Sequence, residues 1–130
     1  MNPGTVLHIP GTGPAHDRGR GHYFVVLTSP QPPAGGCLLV PICTVHEKCD
    51  STCTLKSGDH SVINRESFIS YAQMKIYSGD HLKEKIATGG IEALEVISDA
   101  LLSRIGQGVA ESPLAAPVYK KFLAKTLGIA

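Results

Sequence analysis

The 130-residue chain has no tryptophan, only four tyrosines and three phenylalanines, and almost no charge imbalance: 12 Lys and Arg against 11 Asp and Glu leave a formal net charge of +1. A hydrophobic content of 42% excludes intrinsic disorder, which needs low hydrophobicity and a large net charge. Near-neutrality excludes a strongly basic nucleic-acid protein, so any polyanion site must be local. No apolar run approaches the roughly 20 residues that cross a bilayer, and Met1-Asn2-Pro3-Gly4 does not open a basic stretch followed by a long apolar one. A cytoplasmic protein is the expectation. Also missing are a Gly-x-Ser-x-Gly elbow, a His-Glu-x-x-His pair and a Cys-His nucleophile signature, which leaves covalent hydrolase chemistry without support. Gly11-x-Gly13 is followed by no Lys-Ser/Thr and opens no helix, which argues against a phosphate loop of that type.

What is present fits one ordinary domain with a modest core. Fourteen glycines and nine prolines exceed average usage and favour many short elements joined by turns. The four cysteines, Cys37, Cys43, Cys49 and Cys53, fall in one short stretch with His46. Cys43, His46, Cys49 and Cys53 form a possible zinc ligand set. Their spacing lacks the two short pairs and long insert of structural zinc sites, and Cys37 and Cys43 sit in an apolar run where cysteine acts as a small hydrophobe. No metal is therefore expected.

The first half reads as strands. Residues 5–9 form a short β-like run closed by Pro10, and residues 22–28 a second one. Residues 37–45 make a third, in which Pro41 argues for an edge position or a bulge. Residues 52–56 and 60–64 flank Ser57-Gly58-Asp59 and predict a β-hairpin. Residues 68–77 predict the last strand. Helical spacing follows: Asp80 is placed to cap a turn over residues 81–87, and Ile91, Leu94, Ile97, Leu101 and Ile105 predict a helix over residues 91–105, ended by Gly106 and Gly108. Residues 118–127 predict a further helix begun near Pro117. No internal repeat or second-domain linker is visible.

Before Glu47 the formally charged residues are Asp17, Arg18 and Arg20, all in the glycine-rich loop between the first two strands. Guanidinium forks there match phosphate oxygens; the plain alternative is a solvated polar loop. Of six histidines, His22 and His60 lie beside predicted turns, with His22 next to the arginines. Taken alone, either one is better explained as completing a polar turn.

The order of pieces resembles the PemK/MazF family of type II toxin-antitoxin toxins over roughly residues 4–105. Gly4-Thr5-Val6-Leu7 stands for the family's opening strand. Arg20-Gly21-His22-Tyr23 before Phe24-Val25-Val26-Leu27 takes the place of its Arg-Pro and apolar strand, with His22 at the arginine position in simple strand alignment. Val40-Pro41-Ile42-Cys43-Thr44 looks like its Pro-Ile-Thr-Ser strand end, with Thr44 or Cys43 at the Thr position. Ser67-Phe68-Ile69, Gln73-Met74-Lys75-Ile76 and Gly90-Ile91 follow in family order. The resemblance implies an α+β fold, mainly β with helices. Residues 1–108 would form a small SH3-like barrel with a packed helix, and residues 109–130 a helical C-terminal extension. It further implies a homodimer that cleaves single-stranded RNA, needs no cofactor and is silenced by a cognate antitoxin. A catalytically silent barrel that binds protein or nucleic acid is the alternative. Metal-free RNA cleavage needs a base for the 2′-hydroxyl, a cation for the phosphate and an acid for the leaving oxygen. Arg20 is the candidate for the phosphate and His22 for base or acid. Thr44 is placed to position the phosphate, with His60 as a reserve acid or base. Arg18, Arg20, Gln73 and Lys75 are the expected RNA-binding residues.

Overall fold

The computed structural model describes residues 2–12, 21–32, 34–46 and 49–127. The β-branched and aliphatic runs of the first half pair as a meander of β1 (Val6–Ile9), β2 (His22–Val26) and β3 (Gly36–Thr44). Val6 stands opposite Val25, and Val25 opposite Val40. β4 (Thr54–Leu55), β5 (Ser67–Ile69), β6 (Lys75–Ser78) and β7 (Glu92–Leu94) complete a seven-stranded antiparallel sheet. The order is β4-β5-β3-β2-β1-β7, with β6 also on β3. Its end strands, β4 and β7, do not pair with each other, so the sheet is open where a closed barrel was expected; strands of two and three residues offer no continuous ladder for closure.

Both faces of the sheet are covered. Val6, Val25, Leu38 and Val40 join one core with Leu101, Ile105 and Val109 of α2 (Asp99–Glu111) and Leu123 of α3 (Pro117–Thr126). Leu7, Phe24, Val26, Cys37 and Leu39 join a second core with Leu82 of α1 (Gly79–Ala87). Two-sided burial is why these strands read as continuous apolar runs rather than alternating ones.

Pro41 occupies a seam. The first half of β3 pairs with β6 and the last three residues with β5, and the Pro41 carbonyl, in the gap, accepts from Ser70 N at 3.1 Å. In a strand N–H and C=O of one residue point the same way, so the missing proline N–H faces this junction and neither ladder loses a bond.

Several elements differ from expectation. The hairpin forms between β4 and β5, not with residues 60–64, which are turns anchored by buried Ile63. Residues 68–77 split into β5, a 3-10 turn (Tyr71–Gln73) and β6. α1 is capped by Ser78, whose Oγ accepts from His81 N at 3.3 Å, and Asp80 sits inside its first turn. The long helix starts at Asp99, behind a Ser98 cap, rather than at Ile91. Residues 92–94 instead pair with the open edge of β1. In an extended chain residues three apart point to opposite faces, and Ile91 and Leu94 accordingly join different cores. Gly106 and Gly108 do not end α2. The helix continues to Glu111 through the expected boundary at Gly108, and Ala115 and Leu123 beyond it belong to the same core as β1–β3. Among the described residues no helix is long and apolar enough to cross a membrane.

Candidate functional site

Where β1 finishes, β2 begins and β3 ends, the structure has an open cleft of about 670 Å³. Gly21 sets its floor. Its φ is +76°, and a Cβ there would stand 2.6 Å from Ile9 O and 3.1 Å from His8 Nε2, so only glycine lets the chain enter β2 beneath His8. His8 and Tyr23, cross-strand neighbours, face the cleft with ring centroids 5.0 Å apart. The end of β3 brings Cys43 and Thr44, and His46 follows, its ring edge-on to Phe68 at 5.4 Å. The remaining wall comes from the segment before β5: Val62, Asn64, Arg65 and Ser67.

His22 is fixed by a local network. Thr12 Oγ1 donates to Ile9 O at 2.6 Å and accepts from His22 N at 2.9 Å. The His22 Nδ1 lies in hydrogen-bond contact with the Thr12 carbonyl. A carbonyl oxygen only accepts, so Nδ1 carries the proton and Nε2 holds the lone pair. Backbone contacts of this kind fix the orientation and tautomer of an imidazole.

Among the described lining residues there is no carboxylate, and Arg65 supplies a fixed positive charge. The combination of a guanidinium, imidazoles, the Thr44 hydroxyl and the Asn64 amide suits an anionic, hydrogen-bonding ligand such as a phosphodiester. Burial pushes the Cys43 thiol up to about 11, so it is not a nucleophile near neutrality. Among the described residues no group of three or more His, Cys, Asp or Glu is placed to hold a metal ion.

The cleft brings together His22 and Thr44 of the expected site residues. Arg18 and Arg20 lie outside the described residues. Gln73 and Lys75 are exposed but do not line the cleft. Lys75 stands opposite Leu39, five residues along β3 from Thr44, a distance of about 16 Å. His60 also does not line it: it is buried behind the wall, where Nε2 donates to Glu95 O at 2.7 Å and Nδ1 accepts from Val62 N at 3.2 Å. His8, His46, Asn64 and Arg65 were not expected here. His8, His46 and the Asn64-Arg65 pair come from three separate stretches of sequence, and only the fold assembles them.

No family model matches the chain, and neither a curated protein nor a solved structure is significantly similar to it.

Proposed function

We propose that this chain is the toxin of a type II toxin-antitoxin system, a distant variant of the SH3-like PemK/MazF architecture, and that it cleaves single-stranded RNA in this cleft without a metal ion. The observation that carries the reading is His22: an imidazole held by Thr12 with its basic nitrogen at Nε2, in a cleft that also holds Arg65. His22 Nε2 takes the 2′-hydroxyl proton as the 2′-oxygen bonds to phosphorus. The bond from phosphorus to the 5′-oxygen breaks, and that oxygen takes a proton from His46. Arg65 and the Thr44 hydroxyl bond the non-bridging oxygens as their charge grows. The products are a 2′,3′-cyclic phosphate and a 5′-hydroxyl. The protein acts in the cytoplasm as a homodimer, and its antitoxin competes with RNA for the cleft.

The test is incubation of the purified chain with a long unstructured RNA in EDTA. Cyclic-phosphate and 5′-hydroxyl ends are expected. His22→Ala should abolish them, and Arg65→Ala should slow cleavage by roughly 10²- to 10³-fold, as for removal of one charge-stabilising donor. Wild-type protein inert on RNAs of varied sequence refutes the reading. Tight RNA binding without cleavage would leave a silent binding module.

A further inference from the structure

The wall formed by residues 61–65 belongs to no strand, yet it carries Asn64 and Arg65 into the cleft. Ile63 is buried and its carbonyl accepts from Gly58 N at 3.2 Å, which anchors the wall locally, and a buried histidine links it across the fold. His60 is buried, with its side chain 2% exposed, and it bridges two backbone groups: the Val62 N–H, which donates to Nδ1, and the Glu95 carbonyl, which accepts from Nε2. Glu95 lies just after β7, on the connection leading to α2. The bridge therefore ties the cleft wall to a segment 35 residues later in the chain. Its two bonds need the neutral ring with the proton on Nε2, the reverse of the tautomer at His22. The Glu95 carboxylate, 3.4 Å from Nε2, is mostly exposed and bonded by the Ser61 hydroxyl. The carbonyl makes the shorter contact and anchors the bridge.

We propose that His60 is a positioning residue, which sets Asn64 and Arg65 against the substrate by clamping Val62 to the Glu95 backbone, and transfers no proton itself. This rests on the RNA-cleavage reading. The clamp separates two roles for histidine in one small protein: His22 does chemistry at the cleft, while His60 holds the opposite nitrogen pattern to fix the wall. It also makes the β7–α2 connection a determinant of RNA turnover although it contributes no lining residue.

Two measurements test it together. The first is cleavage of an unstructured RNA across a pH series by wild type, His60→Ala, His60→Gln and Glu95→Ala, each with its thermal melt. His60→Ala should lower kcat/KM on the order of 10²-fold, the scale of a misplaced catalytic contact, with the pH profile unchanged in shape. His60→Gln, whose amide can still reach the Glu95 carbonyl, should recover most of the loss, and Glu95→Ala, which keeps that carbonyl, should be near wild type. The second is nitrogen-15 NMR of the RNA-free wild type at neutral pH, which should show His60 neutral with its proton on Nε2 and the Val62 amide protected from exchange. Loss of one limb of the pH profile in folded His60→Ala makes His60 a proton-transfer group and overturns the proposal. So does wild-type cleavage by folded His60→Ala, failure of the Gln variant to rescue, or a His60 proton on Nδ1. Should the wild type not cleave RNA at all, the functional reading falls on that result and NMR alone decides the clamp.

Discussion

Gly108 lies in the last turn of α2, still inside the helix, where helix propensity alone says that alanine should stabilise by up to about 1 kcal/mol. The packing says the opposite. A Cβ at Gly108 would stand 2.6 Å from Tyr71 Cζ and nearer still to Oη. Tyr71 is fully buried, and its hydroxyl donates to Ile105 O at 2.8 Å. The ring must move, at about 1 to 3 kcal/mol for overpacking, and the displaced hydroxyl leaves a buried polar group at a further ~1 to 3 kcal/mol. Net of a propensity gain of about 1 kcal/mol, Gly108→Ala should destabilise by about 1 to 5 kcal/mol. An unfolding entropy of about 270 cal/mol/K, from about 2.1 cal/mol/K per residue, turns that into a Tm lower by about 4 to 19 °C. Gly106 is the internal control: nothing lies within 4 Å of its Cβ position, so Gly106→Ala should raise Tm by a few degrees through propensity alone. Scanning calorimetry of the two single variants is the assay. Gly108→Ala melting at or above the wild type would refute the reasoning, because the helix would then tolerate a methyl where the tyrosine ring stands.

Leu101, 5% exposed beneath the sheet, should cost about 2 to 5 kcal/mol as Leu101→Ala, read from urea midpoints. Cys43, raised to about 11 by burial from an ordinary 9.0, should alkylate with iodoacetamide at pH 8 roughly a hundredfold more slowly than a free thiol, because its thiolate fraction is lower by that factor; peptide mass spectrometry checks it. For Asp50, burial raises the carboxyl, but donors from Thr52 and Ser112 outweigh it and hold the group below its ordinary value. A depressed folded pKa stabilises above the unfolded value of about 3.9 and loses that stability as pH falls through the folded value. Asp50→Asn should therefore flatten the acid limb of the stability profile between about pH 5 and 2 in urea titrations.

The first three strands were legible because burial on both faces leaves a plain signal: long apolar runs closed by Pro10 and by the prolines after Ser29. The long helix was legible only in its second half. Ile91 and Leu94 have helical spacing, yet β1 offers an unpaired edge that a three-residue strand can fill, and no local pattern reports that edge. Gly108 carries the same ambiguity, since a glycine marks a helix end or a close approach, and only the position of Tyr71 separates the two. At the cleft, His22 stood out through its neighbouring turn and charges and Thr44 through motif order. Asn64 and Arg65 did not, because their place depends on how a turn region is held rather than on its own sequence. His60 was visible as a histidine at a turn, but its partner at residue 95 was not.

β3 touches β2 along one edge and both β5 and β6 along the other, and the helices that cover its two faces come later in the chain. A ribosome therefore completes the apolar meander of β1, β2 and β3 well before anything exists to bury it. At about 5 to 20 residues per second, the interval from residue 45 to the end of α2 lasts roughly 3 to 13 s. Throughout it a three-stranded sheet, sticky on both sides, hangs from the exit tunnel. Translation speed across residues 45–111 thus becomes a property of the protein's yield: slow codons there lengthen the exposure, and a nascent-chain chaperone that binds extended apolar segments shortens its consequences.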